Sequence, residues 1–339
     1  MLARPSPSVS IVLPVYNGAA HLDEALGSLV SQDFEDFEVV VVDDGSTDAT
    51  PQMLEAWSVR EDRLRVIRSP HEGIVSALER GRAASLGRYL ARMDADDIAD
   101  PHRLGAQYRY MEARPDVDGC GCFVEYFPVE AVRDGARRYQ EWLNGLVSPS
   151  EIEAAMFVEC PIAHPTLFVR ASVLEAVGGY RDRGWPEDYD LMLRLWAAGC
   201  RLGKVPDVLL RWREGPDRLS RTDSRYAPEA FLACKVHHLR RTLLRGSRNA
   251  VIWGAGPVGK TLARALLAQG TRVEAFVELN PRKIGQEIHG APVLDTASAI
   301  GLTLPLHLAA VGQVGARERI VGMLRGAEKV EMKDFVAIA

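Results

Sequence analysis

Apolar and polar positions follow two rhythms along the chain. Short, nearly unbroken apolar runs occur at Val9-Ser10-Ile11-Val12-Leu13, Glu38-Val39-Val40-Val41-Val42, Leu64-Arg65-Val66-Ile67 and Tyr89-Leu90-Ala91-Arg92-Met93. Runs of that length, rich in β-branched residues, predict buried strands. Between them apolar residues recur at helical spacing, as at Leu22, Ala25, Leu26 and Leu29. Further helices are predicted from about Thr50 and over 74–85. Strands that alternate with helices imply a mainly parallel sheet covered on both faces. Ligands of such sheets bind beyond the carboxyl ends of the strands. Here those ends carry Tyr16-Asn17, Asp43-Asp44 and Asp94-Ala95-Asp96-Asp97, so acidic residues gather at one rim.

The middle of the chain has a weaker rhythm. Residues 117–127 predict a strand, 139–146 and 150–157 helices, and 164–170 a strand that leads into a short helix ending at Gly178-Gly179. An amphipathic helix over 187–198 starts just after Pro186 and stops at Gly199. Another spans 227–245, and its later part is basic, with Lys235, His237, His238, Arg240, Arg241 and Arg245. A new unit is expected from Ser247. The strand Asn249-Ala250-Val251-Ile252-Trp253 runs directly into Gly254-Ala255-Gly256-Pro257-Val258-Gly259. A helix to Gln269 and a strand over 273–277 complete a βαβ start. A further strand is predicted over 306–311 and a further helix over 317–324. About 90 residues suffice for half of a doubly wound dinucleotide fold.

Composition narrows the class. With 339 residues, 47% of them hydrophobic, the chain can bury a large core and form about two domains. A charged content of 26% excludes wholesale disorder. A formal net charge of −5 argues against a chain-wide grip on nucleic acid. Met1-Leu2-Ala3-Arg4-Pro5-Ser6-Pro7 has no apolar signal core. No window approaches the ~20 apolar residues of a membrane span. Five scattered cysteines do not read as a disulfide framework, and Cys120 and Cys122 are too closely spaced for a zinc knuckle. The expectation is a reduced, cytoplasmic protein.

Three places can carry chemistry. Asp94 and Asp96 are hard oxygen donors suited to Mg²⁺ or Mn²⁺ shared with a substrate's phosphates, or else a solvated acidic turn. Asp43 and Asp44 are placed to accept a base N–H or ribose hydroxyls, while Ser46, Thr47 and Asp48 are helix-capping types. Tyr16 either stacks on a base or covers the edge of the sheet. In Trp185-Pro186-Glu187-Asp188-Tyr189-Asp190, three acids favour a helix N-terminus, and one of them is a candidate general base for a sugar hydroxyl.

In this order the motifs resemble family 2 glycosyltransferases over residues 8 to about 225. The resemblance rests on Val9 to Gly18, on Val42-Asp43-Asp44-Gly45-Ser46-Thr47-Asp48 and on Met93-Asp94-Ala95-Asp96-Asp97. It continues through His164-Pro165-Thr166, Gly178-Gly179-Tyr180 and Glu187-Asp188-Tyr189-Asp190-Leu191. It implies an α/β chain with a glycosyltransferase A (nucleotide-diphospho-sugar transferase) fold over 1–225. A basic helical linker over 226–246 and a small Rossmann-like α/β domain over 247–339 follow. Pro14, Val15, Tyr16, Asn17, Asp43 and Asp44 then correspond to residues that hold the nucleotide. Asp96 corresponds to the metal-binding acid, Asp94 to its partner near ribose or metal, and Asp188, with Glu187 beside it, to the catalytic base. The implied reaction is inverting transfer of a hexose, UDP-linked by expectation, to a glycan, glycolipid or protein acceptor.

The sequence also departs from the family. Ala77-Leu78-Glu79-Arg80 replaces an Arg-Asn pair, which puts donor contacts there in doubt. The loop after the last core strand, read as 211–221, lacks the usual His. Its arginines, Arg218 among them, are candidates to clamp a diphosphate, against a solvated basic loop. His164 is either an acceptor or metal contact or, by preference, a packed hydrogen-bonded residue. Trp185 and Trp142 offer stacking surfaces for an acceptor sugar, or core packing. Gly254, Gly256, Gly259 and Glu278 fit a nucleotide site for NAD(P) or another nucleotide, or an empty structural element that packs or dimerises. The basic helix reads as a solvated connector, with peripheral docking on the inner face of a membrane as the lesser alternative. Two rival functions stand beside glycosyl transfer. One is a nucleotide-sugar-modifying or NAD(P)-dependent oxidoreductase built on the glycine loop; the other is a non-catalytic nucleotide-sugar sensor.

Overall fold

Val9–Val15 (β1) and Phe37–Asp43 (β2) are almost wholly buried, as their apolar runs require. Leu64–Arg68 (β3) and Tyr89–Arg92 (β4) join them through parallel pairings, β2 with β3 and β1 with both β2 and β4. Ile98–Ala99 (β5), Gly119–Phe127 (β6), Phe168–Arg170 (β7) and Leu202–Arg213 (β8) complete an eight-stranded sheet. Its order is β3-β2-β1-β4-β7-β6-β8-β5. The sheet is mixed rather than mainly parallel. Strand β7 runs antiparallel to both β4 and β6, and β5 runs antiparallel to β8. The cause is local: His164–Thr166 is a 3₁₀ turn, not strand, and it feeds the short β7 in from the opposite direction. The segment Arg211–Arg213, expected in a loop, lies in β8.

The structure, a computed structural model, describes residues 6–216, 218–246, 248–313 and 315–339. Asp217 of the expected arginine loop and the expected domain start at Ser247 lie outside the described residues. The chain divides into two units. Met1–Ile152, Pro161–Arg183 and Arg194–Thr222 form the first; Glu153–Cys160, Gly184–Leu193 and Asp223–Ala339 form the second.

The first unit's core lies between the sheet and its covering helices, with Ile11, Leu13, Leu26, Val39, Val41, Tyr89 and Phe168 at its centre. Helix Arg103–Ala113 turns a polar face inward. Arg103 is buried there because its guanidinium donates to the backbone carbonyls of Arg92 (2.7 Å) and Pro165 (2.6 Å), and to Gln107 Oε1 (3.1 Å). Cys120 and Cys122 are buried side by side as small apolar residues.

The second unit has its own sheet of Ala250–Trp253 (β9), Val273–Val277 (β10), Glu287–Ile288 (β11), Ala291–Leu294 (β12), Leu306–Ala309 (β13) and Phe335–Ala337 (β14). The order is β11-β12-β10-β9-β13-β14, all parallel except the β11–β12 hairpin. Counted from β9, the five parallel strands follow the 3-2-1-4-5 order of a doubly wound nucleotide fold. The unit is therefore larger than the half domain expected: β13 and β14 extend the sheet past the first mononucleotide half. Helix Pro228–Arg241 belongs to this unit. It is not a freely solvated basic rod. Lys235 Nζ donates to the carbonyls of Val158 (2.7 Å) and Ile338 (3.0 Å), and His238 is buried. No helix among the described residues is long and apolar enough to cross a membrane.

Candidate functional site

Strand order places the first unit's site. The chain leaves β1 for β2 on one side and reaches β4 on the other, so the loops after β1 and β4 diverge and open a crevice. The two loops are neighbours: a Cβ added to Gly18 would lie 3.7 Å from the Ala95 Cβ. Pro14 and Val15 end β1. Asn17, in the left-handed region at φ 52°, donates its N–H to Ser46 Oγ (2.9 Å) and accepts from Thr47 N–H at Oδ1 (2.8 Å). The β1 and β2 loops are thus stitched together.

Asp43 and Asp44 are both buried. Asp43 Oδ1 accepts from Ser46 N–H (2.9 Å). Asp44 accepts from the N–H groups of Glu72 and Gly73, both at 2.9 Å, and pairs with His71 Nδ1 at 2.8 Å. His71 in turn stacks on Tyr16, with ring centroids 3.9 Å apart. Gly45 permits this approach. Its φ is 76°, and a Cβ there would meet His71 N at 2.7 Å. Asp44 therefore organises the third loop of the rim, and Tyr16 presents an aromatic face that is 46% exposed. Sequence reasoning missed His71. It sits in a polar turn with no periodic signal.

Beyond β4, Asp94, Asp96 and Asp97 bring one carboxylate oxygen each to within 4.8 Å of one another. Arg92 pairs with Asp94. Burial, reinforced by the Asp94 charge, pushes the Asp96 carboxyl up to about 6. Asp97 is driven well above the ordinary carboxylate range by burial and then by its two acidic neighbours. Its Oδ1 accepts from Arg213 N–H (2.7 Å), but Oδ2 is buried with no hydrogen-bond partner. Three converging hard donors with an orphaned buried oxygen fit a divalent cation, whose charge would favour the ionised forms of Asp96 and Asp97. Asp97 was read as part of this motif but not as a ligand.

Arg213 and Arg218 flank the acids. Arg213 Nε donates to the Asp96 carbonyl (2.6 Å). Arg218 lies over the Trp212 ring at 4.5 Å, pairs with Glu214 at 3.2 Å, and its charge acts on Asp96. Both are largely buried, paired cations, whereas Leu219 to Thr222 of the same loop are exposed. His164 is buried and its Nε2 lies 2.9 Å from the Tyr180 hydroxyl. Burial, then the Arg92 charge, lowers its imidazole well below 6.5, so it stays neutral. Glu79, in the stretch that departs from the family, pairs with Arg82 and accepts from Tyr180 N–H.

Glu187, Asp188 and Trp185 fall in the second unit. Helix Glu187–Ala197 begins directly after Pro186 and carries Glu187, Asp188 and Asp190 in its first turn. Glu187 is buried and accepts from the Tyr226 hydroxyl (2.7 Å). Asp188 is half-buried, and its Oδ1 accepts from Tyr189 N–H (2.7 Å). Trp185 donates its indole N–H to Asp190 Oδ1 (3.1 Å) and packs on His237, so its ring edge is held by the protein. Asp190 also meets His238 Nε2 at 3.0 Å, with Cys234 close by. That buried trio is bonded within the fold.

The glycine loop precedes helix Pro257–Ala268. Gly254 has φ 118°, and a Cβ on Gly259 would meet the Gly254 carbonyl oxygen at 1.9 Å. Glu278 follows β10 and pairs with Lys283 at 2.8 Å.

Comparison with known proteins gives a consistent picture. The family model described as "Glycosyl transferase family 2" matches residues 10–178. An uncharacterised glycosyltransferase of Haemophilus influenzae is 30% identical over 213 residues, covering 61% of this chain. The chain spans just under two thirds, 65%, of that relative's length. Among solved structures, S. aureus TarS 1-349 in complex with UDP-GlcNAc aligns over 68% of this chain and 66% of its own, at 19% identity and TM-score 0.55. Mannosyltransferase PcManGT from Pyrobaculum calidifontis, in complex with GDP-Man and Mn²⁺, aligns over 77% of this chain and 69% of its own, at 23% identity and TM-score 0.53. The structural likenesses establish the glycosyltransferase A fold.

Proposed function

Given that the chain belongs to glycosyl transferase family 2 through residues 10–178, we propose that it moves a hexose from a nucleotide sugar, UDP-linked, to a glycan or glycolipid acceptor, with inversion. The observation that carries this reading is the carboxylate cluster of Asp94, Asp96 and Asp97 at the crevice between the β1 and β4 loops, with its unpartnered buried oxygen.

In the proposal, Pro14, Val15, Tyr16 and Asn17 cradle the nucleotide, with Tyr16 as the stacking face. Asp43 and Asp44 hold the three loops in place, and the one acceptor direction left on Asp44 Oδ1 serves the ribose or base. Arg218, held against Trp212 and Glu214, meets the diphosphate as a cation. Asp96 and Asp94, joined by Asp97, would hold Mg²⁺ or Mn²⁺, which supplies charge neutralisation to the diphosphate as a Lewis acid. That a mannosyltransferase of the same fold has been seen with GDP-Man and Mn²⁺ supports this assignment.

Asp188 is the proposed general base, on the strength of its place in the Glu187-Asp188-Tyr189-Asp190 motif. It takes the proton of the acceptor hydroxyl. The freed oxygen forms a bond to the anomeric carbon as the bond from that carbon to the diphosphate oxygen breaks. The nucleoside diphosphate leaves with the electron pair, and the anomeric configuration inverts. Trp185 and His164, both engaged with protein partners, act by shaping their surroundings rather than as reacting groups.

The test uses the full chain with Mn²⁺ and a panel of UDP- and GDP-sugars. Donor-dependent release of nucleoside diphosphate is expected for one of them in the presence of acceptor. Asp188→Asn should bind the donor as before and lose about 10²–10⁴-fold in transfer rate. Unchanged turnover in that variant removes Asp188 from the reaction.

A further inference from the structure

The second unit contains a cavity of about 460 Å³ lined by Gly254, Gly256, Val258, Glu278, Lys283 and Arg319, among others. The volume lies in the ~300–1,000 Å³ range of small-molecule sites. It opens beyond the carboxyl ends of β9, β10 and β13. There the chain passes from β9 to β10 on one side and to β13 on the other, the switch point of this sheet.

The glycines distinguish a ligand site from a structural loop. Gly254 is required by the fold: φ is 118°, and a Cβ would press on the Ala310 carbonyl at 2.8 Å. Gly259 is required too, by its contact with the Gly254 carbonyl. Gly256 is required by neither conformation nor packing. Its φ is −89°, open to any residue, and a Cβ there would meet nothing within 4 Å. It is the N-cap of the twelve-residue helix Pro257–Ala268, whose first-turn N–H groups lack intrahelical partners by geometry. A bare N-cap beside a cavity leaves room for an anion to approach the backbone.

At the far wall, Glu278 is fixed in place. Its Oε1 accepts from the N–H groups of Leu279 (3.0 Å) and Asn280 (3.4 Å), and its Oε2 from Lys283 (2.8 Å). A carboxylate oxygen has two acceptor directions, so Oε2 of this rigid acid can still accept one ribose hydroxyl. Lys283 and Arg319 supply positive charge at the cavity.

We propose that this cavity binds a ribonucleoside diphosphate. The diphosphate sits against Gly256 and the helix N-terminus, and one ribose hydroxyl rests on Glu278 Oε2. The site is separate from the glycosyl-transfer reading, and no bond is made or broken in it. The ligand is either a free or sugar-linked nucleoside diphosphate or the corresponding half of a dinucleotide.

Equilibrium dialysis of the full chain against ADP, UDP and NAD⁺, in EDTA, tests the assignment. Chelation removes the divalent cation on which the first unit's donor site is proposed to depend. About one equivalent of at least one nucleotide should bind per chain. Preference for NAD⁺ over ADP identifies a dinucleotide, and preference for UDP a sugar-nucleotide relative. Gly256→Asp, which the backbone accommodates, should weaken binding about 10-fold or more, a loss of about 1.4 kcal/mol, with an unchanged melting temperature. If that variant is unstable, Glu278→Gln replaces it and should weaken the same binding. Asp96→Ala should leave it intact. The proposal is overturned if no nucleotide binds in EDTA, if folded Gly256→Asp and Glu278→Gln bind like the parent, or if Asp96→Ala abolishes the binding.

Discussion

His307 sits fully buried in β13, and its ring is committed at both nitrogens. Trp253 Nε1–H donates to Nδ1 at 2.9 Å, so Nδ1 must be bare. Nε2 lies 2.8 Å from the Leu302 carbonyl and must carry the proton. A second proton would have to enter at Nδ1, where it would face the indole N–H. Burial accordingly lowers this imidazole from 6.5 to about 4. The sign follows. The unfolded chain takes up a proton first as the pH falls, so the stabilisation is whole above about 6.5 and drains away toward about 4. Between about pH 7.5 and about pH 5 the loss is ~2 kcal/mol. His307→Gln can keep both bonds, with an amide oxygen facing Trp253 and an amide N–H facing Leu302, but it cannot ionise. Urea unfolding of the parent and the variant over that pH range isolates the effect, because every other group cancels in the difference. The parent should lose ~2 kcal/mol more than the variant. Parallel curves, or a His307 resonance that titrates near 6.5, would refute the reasoning.

Other expectations follow from the same geometry. Asp96→Ala should abolish the part of donor-induced thermal stabilisation that requires Mn²⁺. A donor at 100 times its dissociation constant adds ~2.7 kcal/mol, so the loss is readily measured, and a persistent Mn²⁺-dependent shift would exclude Asp96 as a ligand. Gly259→Ala forces a methyl group against the Gly254 carbonyl and should destabilise the second unit by about 1–3 kcal/mol in chemical denaturation. Gly256→Ala should be nearly neutral in the same assay, and equal effects of the two would contradict the packing argument.

The parallel half of the first sheet was legible because β1, β2 and β4 are buried at every position but Glu38 and are mostly apolar. The acids at the strand ends were legible for the complementary reason, since nothing in a strand or helix calls for them. Helix Arg103–Ala113 was not foreseen. Its inward residues include Arg103 and Gln107, which are buried only because carbonyls from distant segments receive their protons, and such partners leave no periodic mark. Strand β8 was hidden by Lys204 and Pro206. Lys204 is buried against the Leu143 carbonyl, and the β6–β8 register shifts beside Pro206, between Cys122 and Phe123. In the site, Asp94 and Asp96 could be named from spacing. His71, Asp97 Oδ2 and the ordering of Arg213 depend on tertiary contacts. The glycine loop was visible, but only the structure separates Gly256 from the two glycines that the backbone itself demands.

The antiparallel insertion of β7 beside β4 has a consequence for biosynthesis. Arg92 ends one strand and Phe168 begins the other, so about 75 residues must emerge from the ribosome before β4 gains its outer neighbour, roughly 4–15 s at ~5–20 residues per second. Throughout that interval a nascent chain carrying β1 to β4 exposes an apolar, unpaired margin to every other chain nearby. Codon choice across this stretch and chaperone supply during it should therefore govern the yield of properly folded product.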